Sequence, residues 1–171
     1  MNVGKNSEGY PDPTASQAIN HTNHKDYSEF KTYDDLIRYT MACNPRLKTK
    51  NEARKYIRGK MPKESYFQKR IIKWIKKNIP QAVVWKEAAG AYSRQGIPDI
   101  TCIVGGRYYG FEVKRPFIGV LSKIQKQTIN ELRKAGAVAE VVTSEKEVEK
   151  ILIHAIKEVK DACKIKSKES R

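Results

Sequence analysis

The chain has 171 residues, which allows one domain with extensions and a modest core. Its 34 Lys and Arg against 19 Asp and Glu give a formal charge of +15, which points to a polyanionic partner, with nucleic acid ahead of a membrane surface. Cys43, Cys102 and Cys163 lie too far apart for a zinc finger or a disulfide framework, and no stretch reads as a signal peptide or membrane span, so a soluble, intracellular protein with no membrane partner is expected.

Residues 1–30 carry Gly4, Gly9, Pro11 and Pro13 with few large apolar side chains, a composition that predicts a flexible leader. His21 and His24 lie there without Cys or acidic partners and read as solvated. Residues 31–60 form a basic helical extension. One helix is predicted over 33–40, ended by Asn44-Pro45, and a second over 50–58, before Gly59. Between Arg46 and Lys60 there are seven Lys or Arg and one Glu, either an arm for phosphates or a solvated face.

Pro62 is placed to open the next helix, which runs to about residue 78. Phe67, Ile71, Trp74, Ile75 and Ile79 form its apolar stripe, with Glu64 and Gln68 on the same side. Glu64 in that position complements the helix dipole. Lys69 and Lys73 fall on other faces, where they can meet phosphate. A strand over 81–86 brings Lys86. The small residues of 87–95 form either a plain connector or a loop that lets a nucleic-acid backbone approach, with Ser93 and Arg94 as phosphate contacts.

The stretch from Gly96 to Lys114 reads as two strands joined by a tight Gly105-Gly106-Arg107 turn. Ile100, Cys102 and Val104 share one face of the first strand; Cys102 is expected to be a small core residue. On the second strand Tyr109, Phe111 and Val113 share one face, and Glu112 and Lys114 the other. The hairpin draws Asp99 close to Glu112. Two carboxylates converging from neighbouring strands suit a hard divalent cation. A lysine beside it can orient a water or stabilise charge developing on a phosphate. The alternative is an edge hairpin with a solvated polar face.

Beyond the hairpin, Ser122-Lys123-Ile124-Gln125 fits a capping box that opens a helix, with Ile124, Thr128, Ile129 and Leu132 on its buried side and Gly136 closing it. Residues 137–142 form an apolar strand. Ser144-Glu145-Lys146-Glu147 reads as a second capping box, followed by a helix burying Val148, Ile151, Leu152, Ala155 and Val159, with His154 at the surface. Residues 161–171 read as a basic C-terminal tail.

Pro98-Asp99 followed by Glu112-Val113-Lys114 resembles the PD-(D/E)xK nuclease signature. The wider pattern, with Gly96, Arg115-Pro116, Gly119-x-Leu121-Ser122 and Gln125, resembles its VRR-NUC branch from roughly Glu64 to Ile153, within a nuclease-like domain expected over 61–160. The resemblance implies a restriction-endonuclease-like α/β core with a small mixed β-sheet flanked by helices, in the order αβββαβα. It also implies a metal-dependent DNA endonuclease, directed at branched, junction or flap structures in replication, recombination or repair. On this reading Asp99, Glu112 and the Val113 carbonyl hold Mg²⁺ or Mn²⁺, joined directly or through water by Glu64. Lys114 positions the attacking water and stabilises charge. The resemblance places Gln125 close to Lys114, although a capping glutamine needs no active site. Lys86, Ser93, Arg94, Arg115, Lys69 and Lys73 are the candidate DNA contacts. Stand-alone members of this family resemble junction-resolving dimers, so a homodimer is expected, in a bacterial or phage-infected cytoplasm. Two alternatives stay open: a non-catalytic nucleic-acid-binding protein that keeps the fold, and a nuclease acting on RNA.

Overall fold

In the computed structural model of the chain the described residues are 26–88 and 94–169, with the backbone alone described for 158–169. His21, His24, Ser93 and the side chains of Val159 and Cys163 lie outside them. The chain divides into two units, residues 1–62 with 116–118, and residues 63–115 with 119–171.

In the first unit, residues read as the end of a leader are ordered into a 3-10 turn, Tyr27–Glu29, followed by Phe30, which is buried with its ring 5.3 Å from that of Tyr39. Helix α1 (Tyr33–Cys43) starts at a capping box between Thr32 and Asp35. Helix α2 (Lys50–Lys60) starts at another, between Thr49 and Glu52, and buries Ala53 and Ile57. It runs through Gly59, expected to lie beyond its end, and stops where Met61 precedes Pro62. A residue before proline is pushed out of the helical region, and Met61 is extended (φ −68°, ψ 132°). Pro116–Ile118 belong to this unit: Phe117, at a φ of 61°, stacks on Tyr33 with ring centroids 5.9 Å apart.

The second unit begins with α3 (Glu64–Asn78). Pro62 does not open it, since the helix is entered at Lys63, which makes no side-chain cap. Phe67, Ile71 and Ile75 are buried as the apolar period requires, and Ile79 follows as the buried C-cap residue. Strands β1 (Val83–Lys86), β2 (Ile100–Val104) and β3 (Arg107–Val113) form an antiparallel meander. Helix α4 (Lys123–Lys134) then crosses to β4 (Val138–Val142), which pairs parallel to β3, and α5 (Glu145–Glu169) completes the chain. The result is an α/β fold whose four-stranded mixed sheet, ordered β1-β2-β3-β4, is flanked by helices, consistent with a restriction-endonuclease-like core. No helix among the described residues is long and apolar enough to cross a membrane.

The core face of the sheet is Ile100, Cys102, Val104, Tyr109, Phe111 and Val113, all buried, as the alternation predicts. Burial pushes the Cys102 thiol up to about 11, in keeping with an inert core cysteine. Three further local expectations fail. Ile124, read as buried, is 47% exposed, because α4 is turned so that Thr128 and Ile129 point inward. The second capping box does not form: Glu147 accepts from the backbone N–H and the hydroxyl of Thr143 instead, at 2.6 and 3.1 Å, and the buried Ser144 hydroxyl has no partner among the described residues. Helix α5 also continues to Glu169, into the stretch read as a polar tail.

Candidate active site

The register Ile100↔Phe111 and Thr101↔Gly110, carried one step beyond β2, sets Asp99 opposite Glu112. Asp99 is fixed there by its backbone and its side chain. Its carbonyl accepts from the Glu87 N–H at 2.8 Å, and its Oδ2 accepts from the Val113 N–H at 2.9 Å. The alternation that buries Phe111 and Val113 turns Glu112 to the opposite face, yet Glu112 is only 1% exposed and Lys114 7%. Both faces of this strand end are therefore enclosed, which rules out the solvated polar face.

Glu112 Oε1 accepts two donors, Lys114 Nζ and Gln125 Nε2, each at 2.6 Å. Its other oxygen, Oε2, is buried and has no hydrogen-bond partner among the described residues. Burial pushes the Glu112 carboxyl up to about 6, and the negative charges of Asp99 and Glu64 act in the same direction. The hydrogen bond and charge of Lys114 oppose that rise.

Gln125 reaches this carboxylate while also capping α4. Its Oε1 accepts from the Ser122 N–H at 2.9 Å, the Ser122 hydroxyl accepts from the Gln125 N–H at 3.2 Å, and its Nε2 is left to donate to Glu112. The cap and the bond to Glu112 are made at once by different atoms of one amide. Two glycines permit this approach. Gly96 has a φ of +79°, and a Cβ there would lie 2.7 Å from the Ile124 side chain and 2.8 Å from the Thr128 hydroxyl, so only glycine lets the strand entry lie against α4. A Cβ on Gly119 would lie 2.7 Å from Lys114 Cβ, so the loop after β3 closes onto the lysine for the same reason.

The other candidates are spread more widely. Glu64 is the first residue of α3 and half-buried; its charge acts on Glu112, but no three of the His, Cys, Asp and Glu among the described residues are gathered closely enough to hold a metal ion by themselves. Lys69 and Lys73 are exposed on α3, Lys86 is exposed at the end of β1, and Arg115 is half-buried directly after Lys114. Arg94 is engaged in an exposed ion pair with Glu131 of α4 at 2.5 Å. Glu87, which the sequence left within a small-residue loop, makes one bond to Asp99 and one to Thr101. It donates its N–H to the Asp99 carbonyl and accepts from the Thr101 hydroxyl at 2.6 Å. Its place just past β1, in line with the β1–β2 pairing, is the signal that finds it.

Two solved structures are similar to this chain over about half its length. One, described as "VRR_NUC domain protein", is 20% identical, covers 55% of this chain and 88% of its own, and superposes with a TM-score of 0.46. The other, described as "VRR_NUC domain", is 29% identical, covers 50% of this chain and 94% of its own, with a TM-score of 0.42. No family model and no curated protein matches the chain.

Proposed function

We propose that the chain is a divalent-metal-dependent DNA endonuclease acting on branched, junction or flap DNA, as a dimer of itself. The observation that carries this reading is the divided Glu112 carboxylate. One oxygen is held by Lys114 and Gln125, and the other is buried, acceptor-only and without a donor among the described residues, on a residue that lies opposite Asp99. A buried carboxylate oxygen without a hydrogen-bond partner is costly for a structural residue and suited to a hard cation. Asp99 and Glu112, with the Val113 carbonyl, are the groups that would hold Mg²⁺ or Mn²⁺, and Glu64 would join through water. When bound, the cation supplies Lewis-acid activation of water and charge neutralisation at the phosphate.

The chain's own groups do the rest. Gln125 fixes the Glu112 carboxylate so that its other oxygen keeps one direction. Lys114 is held 2.6 Å from that carboxylate, where its ammonium can orient a water and offset the negative charge that builds on the phosphate during displacement. Exposed Lys69, Lys73 and Lys86, with Arg115, supply non-specific phosphate attraction that weakens as salt rises. Ser93, proposed as a further contact, and Arg94, which would first leave Glu131, complete the set.

Labelled four-way junction, flap, nicked duplex, plain duplex and single strand, each incubated with Mg²⁺, Mn²⁺ or EDTA, test the reading. Cutting is expected with metal only, and Lys114→Ala should lower it by about a hundredfold or more. The formal charge of +15 suits one rival equally well, a nucleic-acid-binding protein that keeps the fold without catalysis. Asp99→Ala separates the two: DNA binding survives on either account, but only a nuclease has an activity to lose. Absence of cutting on every substrate, with binding intact, would establish the rival.

A further inference from the structure

Among the described residues four buried side-chain polar atoms have no hydrogen-bond partner: the hydroxyls of Tyr33 and Ser144, Glu112 Oε2 and Gln68 Oε1. The hydroxyls can turn to donate or accept. The ionised carboxylate oxygen and the amide oxygen can only accept, so each is satisfied only by a donor or a cation. Gln68 is 5% exposed, buried on a helix whose other buried side chains, Phe67, Ile71 and Ile75, are all apolar. It stands one turn after Glu64 on the same side of α3, about 6 Å further along the axis. Glu64 is the α3 residue whose charge acts on Glu112, and α3 packs against β1 and β3. The two orphaned acceptors therefore belong to elements that pack together, and Gln68 lies one helical turn from the residue whose charge reaches Glu112.

We propose that Gln68 is a positioning residue of the cation site, its Oε1 accepting a hydrogen bond from a water that the bound cation carries. This rests on the metal reading of Asp99 and Glu112 and assigns a group that reading does not use. A hard divalent cation keeps several of its waters, and each donates outward, so the site needs acceptors beyond its direct ligands. The direct ligands of that reading are two carboxylates and one carbonyl, fewer than a hard cation takes, so water fills the remainder, and a neutral amide oxygen adds an acceptor for it without adding negative charge. If Gln68 only filled the core, an apolar side chain of its size would serve as well or better.

Mn²⁺ affinity of the full-length chain, measured by titration calorimetry, and the thermal midpoint without metal distinguish these accounts. The set is wild type, Gln68→Met, Gln68→Leu, Gln68→Glu and Asp99→Ala, the two apolar variants being carried together so that one poor folder does not decide. Met and Leu at this position should leave the metal-free midpoint unchanged or higher and weaken Mn²⁺ binding about tenfold or more. Gln68→Glu keeps an acceptor oxygen and should retain affinity within roughly threefold. Wild-type Mn²⁺ affinity in the folded apolar variants, with binding lost in Asp99→Ala, would overturn the role of Gln68 and leave the metal reading standing. An equal loss in Gln68→Met and Gln68→Glu would mark a packing role and overturn it too. If wild type shows no saturable binding, or Asp99→Ala binds as wild type does, both readings fall together.

Discussion

Helices α4 and α5 open on matching sequence, Ser122-Lys123-Ile124-Gln125 and Ser144-Glu145-Lys146-Glu147, and their first turns are built differently. At α4 both reciprocal bonds of the box form, and the spare amide hydrogens of Gln125 reach a buried carboxylate. At α5 the acidic side chains are taken elsewhere: Glu145 pairs with Arg70 of α3 at 2.5 Å, and Glu147 reaches back to Thr143. The Ser144 hydroxyl is left buried with no partner among the described residues. The serine of α4 is exposed at the end of a loop, where its hydroxyl has only the helix to serve. The serine of α5 follows β4 by two residues and is enclosed. One pattern marks where a helix starts; its surroundings decide which bonds the start makes.

The largest effect should come from the glutamine that joins the first box to the site. Gln125→Ala removes half of a capping box and a hydrogen bond to a buried, charged acceptor, and should destabilise the protein by about 2–3 kcal/mol in urea unfolding at neutral pH. Glu147→Ala, which breaks bonds only to Thr143, should cost about 1 kcal/mol. Equal losses would mean that Gln125 serves the helix alone.

The buried carboxylate should also make stability depend on pH in a direction opposite to that of a surface ion pair. Glu112 ionises near 6 in the folded protein, above its ordinary value of 4.5, so between these values the folded state holds more protons than the unfolded chain. Metal-free stability is then highest, as far as this group is concerned, below about pH 4.5 and falls as pH rises through 6, by up to about 2 kcal/mol. Glu112→Gln should remove that slope. A wild-type thermal midpoint that rises through the same window, with the slope unchanged in the variant, would show that other groups govern it.

What the sequence disclosed followed from periodicity. The alternation along Ile100–Val104 and Arg107–Val113 predicted the core face and the Asp99–Glu112 approach, because a two-residue period fixes which side chains share a face. Burial of the second face was not legible. Nothing in Glu112-Val113-Lys114 tells a solvated edge from an enclosed one, since that depends on α4, twelve or so residues away, lying against Gly96. The orientation of α4 was hidden for a related reason: Ile124 and Ile129 are equally apolar, and only tertiary packing exposes one and buries the other. Gln68 stood in plain view at i+4 from Glu64, but an amide in an apolar stripe becomes informative only once its oxygen is found buried without a donor among the described residues.

The finest discrimination between the two helix starts is at the serines themselves. The Ser122 hydroxyl accepts from the Gln125 N–H at 3.2 Å, so Ser122→Ala frees a backbone donor and should cost about 1 kcal/mol. The Ser144 hydroxyl accepts nothing among the described residues, so Ser144→Ala removes a buried group whose desolvation is uncompensated and should be neutral or stabilise by about 0.5 kcal/mol. Paired denaturation curves with unchanged m-values would resolve a difference of this size between the variants. A loss at Ser144 as large as that at Ser122 would mean that the hydroxyl caps α5 in solution, and the contrast between the two starts would then come down to Gln125 and Glu112.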